Sequence, residues 1–543
     1  MPLFDKSHDP NAYGRTWPAI AIGIFVAFGG ILFGYDTGSI AGIIGMDYWN
    51  DLFSSGQGNI TSSEKALVVS ILSVGTFCGA LSSPLFADTV GRKWGLFLSC
   101  WVFNIGVVFQ TAATKLPLFN AGRFFAGAGV GLVSAMIPLY QSETAPKWAR
   151  GFIVGTYQLA ITIGIFLAAI ANNACHKINS TASYRIPIAI QFLWSLLLMA
   201  GMLVLPETPR YLVKKGNRDS AKRSLARIRR VQPDDPRVED EIVEIEANHQ
   251  YELSIGKASY IDCFRGRMFY RQVTGMALQA FQQLTGVNFI FYFGTTYFQT
   301  VGIKPAFIIQ VITCLVNTLS TFPGIFLVDR IGRRKMLLVG AVGMCISQFI
   351  VAMTGMYGSH LGSEWADPEM TKHAPVIDNI HSLRASIAFV CIFIFFFAST
   401  WGPLAWIYCG ELFPLKFRAR SLSITTATNW LWNWAIGYST PYLVDEGPGN
   451  ANLQSKIFFI WFGCCFFCIA FTYFFIYETK GLTLEQVDEM FENCMSARKS
   501  ATWVPTTSYV EKTRQTSVHG PQTPPMNTGD NPLEKNTSVQ SGT

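Results

Sequence analysis

Asp88-Thr89-Val90-Gly91-Arg92-Lys93 returns in the second half of the chain as Asp329-Arg330-Ile331-Gly332-Arg333-Arg334. Each copy follows a long apolar run, and each is the first of three markers in a fixed order. Glu143-x-x-Pro146 with Arg150 closes the fourth run, and Glu411-x-x-Pro414 with Arg418 closes the tenth. Glu207-Thr208 follows the sixth run and Glu478-Thr479 the twelfth. Three matched pairs in order read as two parallel repeats of six runs, an architecture of alternating-access carriers in membranes.

Composition points the same way. The 543 residues are 50% hydrophobic and only 14% charged, where a soluble domain carries about 25% charged residues. Several apolar runs exceed the ~20 residues that cross a hydrocarbon core. Twelve spans are expected near 18–45, 66–87, 95–114, 119–141, 152–172 and 187–206, then 271–299, 305–328, 336–356, 385–410, 420–443 and 456–477. The expected fold class is all-α integral membrane, with six-helix bundles over 18–206 and 271–477. Residues 1–17 precede the first bundle and hold Lys6 and Arg15, and the run after them reads as a retained helix rather than a cleaved signal peptide. A polar linker over 207–270 shows helical spacing from Asp219 to Val231. In the segment 478–543, an amphipathic stretch from Leu482 to Met490 leads into a Ser/Thr/Pro-rich tail whose composition predicts disorder.

The net charge of +7 does not imply nucleic acid, because the basic residues collect in alternate short loops. Arg92, Lys93, Lys147, Arg150, Arg330, Arg333, Arg334, Lys335, Lys416, Arg418 and Arg420 fall on one side, whereas Asp47, Asp51, Glu364 and Asp367 fall on the other. The positive-inside rule places the basic side, the linker and both termini in the cytoplasm. The sequons at Asn59 and Asn179 then lie outside, while that at Asn536 lies in the cytoplasmic tail. Twelve cysteines scattered through apolar runs give no disulfide framework. Seven histidines spread over loops and termini show no ligand spacing, so the sequence implies no metal, no cofactor and no enzyme.

Carboxylates at span ends beside basic loops can form a cytoplasmic gate of ion pairs that holds the bundles together. The candidates are Asp88, Arg92, Glu143, Arg150, Glu207 and Arg210 in the first half, with Asp329, Arg333, Glu411, Arg418 and Glu478 in the second. Basic residues at these places also enforce topology and meet lipid phosphate, but here the spacing repeats as well as the charge.

These markers carry a family resemblance. Gly91-Arg92-Lys93, Pro206-Glu207-Thr208-Pro209-Arg210, Gln282-Gln283-Leu284-Thr285-Gly286-Val287-Asn288, Asp329-Arg330-Ile331-Gly332-Arg333-Arg334 and Glu478-Thr479-Lys480-Gly481 resemble the signatures of the sugar porter family of the major facilitator superfamily. The resemblance runs from the first span to Gly481 and is strongest to fungal hexose transporters. It implies a monosaccharide as substrate and a place in the plasma membrane; function as a monomer is expected because two halves in one chain already form a complete cavity.

A sugar site in a bilayer needs amides, which offer donors and acceptors together, and aromatic plates for the C–H faces. The seventh span supplies Gln282, Gln283 and Asn288. On a regular helix Gln282 and Asn288 would point about 240° apart, but Gly286 between Thr285 and Val287 marks a break that lets them converge. Buried amides also serve as interhelical glue. The resemblance assigns all three to sugar hydroxyls and adds Gln158, Trp406, and Asn429 with Trp430. It makes Phe291 and Tyr292 an extracellular aromatic gate, although position 293 is Phe where some relatives carry a second Tyr.

Charges inside spans are costly and mark function. Asp36 and Arg123 both fall in the outer half of the membrane, where they can pair. Resemblance to proton-coupled sugar porters makes Asp36 the proton acceptor and Arg123 its partner. Fungal facilitators of the family also carry this acid, and an ion pair that never titrates has the same sequence, so symport and facilitated diffusion both stay open. Glucose sensors of the same fold signal through long tails; the roughly 65 residues after Glu478 favour a carrier.

Overall fold

Among the described residues the chain winds through twelve long helical spans. They are Trp17–Ala27 with Gly29–Ile43, Ser62–Thr89, Arg92–Ala112, Leu116–Thr144, Arg150–Cys175 and Ala182–Val204, followed by Arg267–Leu284 with Val287–Thr300, Ala306–Ile331, Arg333–Gly358, Ile380–Phe396 with Gly402–Leu412, Arg418–Val444 and Ile457–Phe475. This computed structural model describes residues 17–54, 60–145, 150–256, 259–302, 305–365, 373–414, 416–446, 449–482, 484–494 and 496–503. The chain as far as Ala501 forms one unit, and all that follows concerns it.

Ten of these helical segments are, among the described residues, long and apolar enough to cross a membrane. The other two carry polar chemistry. The seventh span is split at Gly286, whose φ of 80° places it in the left-handed region. The eleventh is unbroken but holds Thr425, Thr426, Thr428, Asn429 and Asn433. The tenth is interrupted too, by a π-helical turn at Phe397–Trp401 just before Pro403.

Packing between spans uses small residues. Gly30, Gly34, Gly38 and Gly42 recur every fourth position, one face of a helix. A Cβ on Gly30 or Gly34 would run into the backbone of Tyr157 or Ile161 in the fifth span. This close approach is the small-xxx-small packing of membrane helices, where van der Waals contact and not water drives association. The halves also touch directly. The second span meets the eleventh, the fifth meets the eighth through Thr318 Oγ1 donating to Thr162 O at 3.1 Å, and Gln299 Nε2 donates to Gly45 O at 3.2 Å.

The connection after the sixth span holds helices at Pro209–Lys214, Arg218–Arg229 and Pro236–Ile255, the second of them where the spacing predicts it. Leu484–Asn493 is helical, a two-residue offset from the predicted amphipathic start. Two short antiparallel strands, Ser359–Trp365 and His373–Ile377, lie between the ninth and tenth spans; the sequence reading did not anticipate them.

The opening motif builds the same corner twice. Gly91 (φ 101°) and Gly332 (φ 102°) begin the third and ninth spans, leaving the first N–H groups of each helix open. Glu207 accepts from the N–H groups of Arg92 and Lys93 at 3.1 Å, and Glu478 accepts from those of Arg333 at 2.8 Å and Arg334 at 3.1 Å. A carboxylate at a helix N-terminus satisfies orphan donors and opposes the positive end of the dipole. A Cβ on either glycine would overlap its carboxylate. Gly91→Ala should therefore lower the thermal unfolding midpoint of the detergent-purified protein, since a strained φ alone costs about 1–3 kcal/mol. Gly463→Ala, a helical site with nothing within 4 Å of the new methyl, should not. Equal midpoints for both variants would remove the corner from the stability argument.

Candidate functional site

The break at Gly286 brings the two halves of the seventh span to one polar cluster. Asn288 Nδ2 donates to Gln283 Oε1, so residues that a continuous helix would point apart are in contact. Gln283 Nε2 donates to Asn429 Oδ1 at 2.9 Å. Asn429 Nδ2 in turn donates to Gln279 Oε1 at 2.8 Å and Gln282 Oε1 at 2.7 Å. Gln282 Nε2 reaches the Trp401 and Gly402 carbonyls at 3.1 and 3.0 Å, beside the widened turn of the tenth span. The seventh, tenth and eleventh spans thus meet through neutral amides. All are buried except Asn288, which is half-buried.

Three members of this cluster lie outside the sequence prediction. Asn433 donates to Gln283 Oε1 at 3.3 Å and accepts from Tyr292 OH at 3.0 Å and Ser73 Oγ at 2.6 Å. Gln279 and Ser73 are the others. A signal existed for two of them: Asn433 stands four residues after Asn429, and Gln279 three or four before Gln282 and Gln283, spacings that share a helix face. Nothing in the sequence points to Ser73, which comes from the other half of the chain.

Of the other residues assigned to the substrate, Gln158 and Trp406 are half-buried. Gln158 Nε2 lies 3.9 Å from where a Cβ on Gly402 would stand, which brings the fifth span to the tenth. The fully buried indole of the tenth span is Trp401, which donates to Leu337 O at 3.0 Å. Trp430 is buried, its Nε1 without a hydrogen-bond partner among the described residues, and its ring stands 5.2 Å from Phe33 of the first span. Phe291 and Tyr292 are both buried.

Asp36 and Arg123 form an ion pair at 3.1 Å, with side chains 0% and 1% exposed. Arg123 Nε also reaches Val68 O at 3.4 Å, so the pair ties the first, second and fourth spans. Gln191 of the sixth span faces Asp36 and donates to Ser39 Oγ at 3.3 Å. Tyr292 faces Thr37, next to Asp36, while its hydroxyl donates to Asn433. One side chain therefore touches the surroundings of both the ion pair and the amide cluster.

At the basic end, Arg92 pairs with Glu143 at 2.9 Å and Arg333 with Glu411 at 2.7 Å. Each arginine also reaches back to a carbonyl of the preceding span, Ala87 O at 3.1 Å and Val328 O at 3.4 Å. Asp88 pairs with Lys214 at 2.7 Å, Thr479 Oγ1 donates to Glu411 at 2.6 Å, Arg418 donates to Gly410 O at 2.8 Å, and Arg210 is exposed. The Arg92–Glu143 and Arg333–Glu411 pairs each close within one half, and Asp88–Lys214 ties the first half to the connection after the sixth span. The expectation was of pairs between the bundles; the repeated spacing instead builds the same brace inside each. Burial pushes the Glu207 carboxyl up, against the opposing pull of the Thr208, Lys93 and Arg92 N–H groups and the Arg92 charge. The side chains of Arg150 and Asp329, and the sequon at Asn59, lie outside the described residues. Asn179 is exposed in the connection between the fifth and sixth spans.

Twelve spans in two similar halves, with amides lining a broken helix of the second half, define a major facilitator carrier. The sugar (and other) transporter family matches residues 22–491, and the chain belongs to that family. It is 56% identical over 511 residues to a "Major facilitator-type transporter" of Aspergillus rugulosus, covering 93% of each chain. It is 44% identical to a "Probable glucose transporter" of Neurospora crassa, over 92% of this chain and 84% of that one. It is also 41% identical to a "High glucose sensor" of Saccharomyces cerevisiae, over 89% of this chain and 62% of the sensor. In fold it superposes on the proton:xylose symporter XylE bound to 6-bromo-6-deoxy-D-glucose, with a TM-score of 0.70 at 24% identity, over 88% of this chain and all of that one.

The ion pair yields a stability prediction. Removing one partner of a buried pair costs about 3–5 kcal/mol, and replacing both by apolar groups costs far less. Arg123→Met should therefore destabilise the purified protein more than the double replacement Arg123→Met with Asp36→Leu does, as read by thermal unfolding. A double variant less stable than the single one would show that each side chain has a separate structural role.

Proposed function

We propose that the chain is a plasma-membrane carrier of monosaccharides, of the hexose (glucose) class, that works by proton–sugar symport. The observation that carries the reading is the amide cluster: Gln282, Gln283, Asn288 and Asn429 converge at a broken helix and offer donors and acceptors without charge. Neutral hydroxyls suit such groups, and an ionic substrate would leave its charge unpaired. Gln158, Trp406, Phe291 and Tyr292 complete the sugar site in this reading. Bundles 18–206 and 271–477 rock about it, the linker 207–270 and both termini face the cytoplasm, and Asn59 and Asn179 face outward. The carrier functions as a monomer, with the sugar, a co-transported proton and the lipid bilayer as its partners.

In the coupling step, protonation of Asp36 removes the charge that holds Arg123. The first, second and fourth spans then loosen, and the change reaches the sugar through Tyr292. The motif braces at the basic end keep each bundle rigid while they move.

Uptake of labelled glucose into proteoliposomes, with and without an inward proton gradient, tests this. Symport predicts accumulation above the outside concentration with the gradient alone. Uptake that stops at equilibrium would make the chain a facilitator and Asp36 a structural residue. Glucose binding without any uptake would favour the sensor reading, for which the 41% identity to a glucose sensor is the supporting observation. Within this assay Gln283→Ala should abolish saturable uptake at unchanged surface expression. Asp36→Asn should abolish accumulation, and undiminished accumulation in that variant would exclude Asp36 as the proton carrier.

A further inference from the structure

The second span (Ser62–Thr89) and the eleventh (Arg418–Val444) join the halves by polar contacts; Ser423 Oγ donates to Ala80 O at 3.4 Å nearer the basic end, and two further levels lie toward the other end. At the end away from the basic repeats, Lys65 Nζ meets Asp445 Oδ2 at 2.8 Å; the side chains are 8% and 18% exposed. Ser62 Oγ donates to the same oxygen at 3.3 Å and accepts from Asn450 Nδ2 at 2.9 Å. About two helical turns deeper, or ~12 Å along the second span, Ser73 Oγ donates to Asn433 Oδ1 at 2.6 Å. Phe293, Tyr297 and Thr440 line a small pocket together with Lys65 and Asp445.

We propose that Lys65–Asp445 and Ser73–Asn433 form a two-level clasp that holds this end of the carrier shut. We further assign Asn433 as a positioning residue that links the clasp to the sugar-binding amide of Gln283. The second half of the proposal rests on the sugar reading above, and the first does not. Alternating access requires this end to open, and opening parts the second span from the eleventh. The pair and its Ser62 hydrogen bond exist only in the closed form, where their close geometry outweighs the hydration the two charges regain on opening, so the pair weights the equilibrium toward closure. The Asn433 oxygen loses Ser73 at the same moment, leaving Tyr292 as its donor. Its amide nitrogen, which donates to Gln283 Oε1 at 3.3 Å in the closed form, is then free to turn away. Sugar on Gln283 and closure of the clasp must favour each other equally, because linkage between binding and conformation is reciprocal.

The test uses the full chain carrying Phe293→Cys, labelled with a membrane-impermeant maleimide in proteoliposomes and scored against the parent chain. Lys65→Asp or Asp445→Lys alone should speed labelling about tenfold, the scale of a charge-assisted hydrogen bond. The two together should return the rate to the starting value. Ser73→Ala, a change of one hydroxyl that preserves packing, should also speed labelling and should weaken glucose binding to the detergent-purified protein about threefold to tenfold; Ser73→Thr should restore both. Unchanged labelling in the single variants, or a swap that fails to recover, overturns the clasp. Faster labelling in Ser73→Ala with undiminished glucose affinity overturns the positioning role of Asn433. Labelling that follows the clasp in a chain that binds no glucose would sink the sugar reading and leave the clasp standing.

Discussion

Inside a bilayer every backbone N–H and C=O has to find its partner within the protein, because no water is there to take its place. The rest of this structure follows from that constraint. It makes each crossing a helix, and it makes every interruption of a helix costly unless side chains fill the gap. Two of the interruptions among the described residues are where the amide chemistry stands. The seventh span breaks at Gly286, the tenth widens at Phe397–Trp401, and Gln282 donates to the carbonyls of Trp401 and Gly402 beside that turn. The amides that suit a sugar are the same groups that hold the broken helices to one another.

A site of this kind serves two purposes with one set of hydrogen bonds. Gln279, Gln282, Gln283, Asn429 and Asn433 hydrogen-bond to one another. A hydroxylated ligand replaces amide–amide bonds by amide–hydroxyl bonds of similar strength, so little is gained or lost by exchanging them. That balance suits a carrier, which has to release what it binds. It also explains why the cluster is made of Asn and Gln and excludes Asp, Glu, Lys and Arg: a charged member would fix one partner too firmly.

The charged groups are kept elsewhere. At the basic end they build the twin corners of Gly91 with Glu207 and Gly332 with Glu478, braced by Arg92–Glu143 and Arg333–Glu411. These are rigid devices inside each half. Lys65–Asp445, at the opposite end, instead joins the two halves, and Asp36–Arg123 ties the first and fourth spans within the first half.

Much of this was legible in the residues themselves. The repeat of Asp88-x-x-Gly91-Arg92 fixes two six-span halves, because a helix corner that needs a positive-φ glycine and an arginine tolerates few substitutes. Apolar runs fix the spans, since length across hydrocarbon is a one-dimensional property of the chain. The convergence of Gln282, Gln283 and Asn288 was readable from Gly286, whose lack of a Cβ is what permits the break. The tertiary structure alone decided that the arginine–glutamate pairs close within each half, that Trp401 is the buried indole of its span, and that Ser73 and Asn433 meet across the halves. These are contacts between helices distant in sequence, set by the rotation and depth at which two spans pack. A linear pattern records which face of a helix a residue occupies, but not which partner that face will meet.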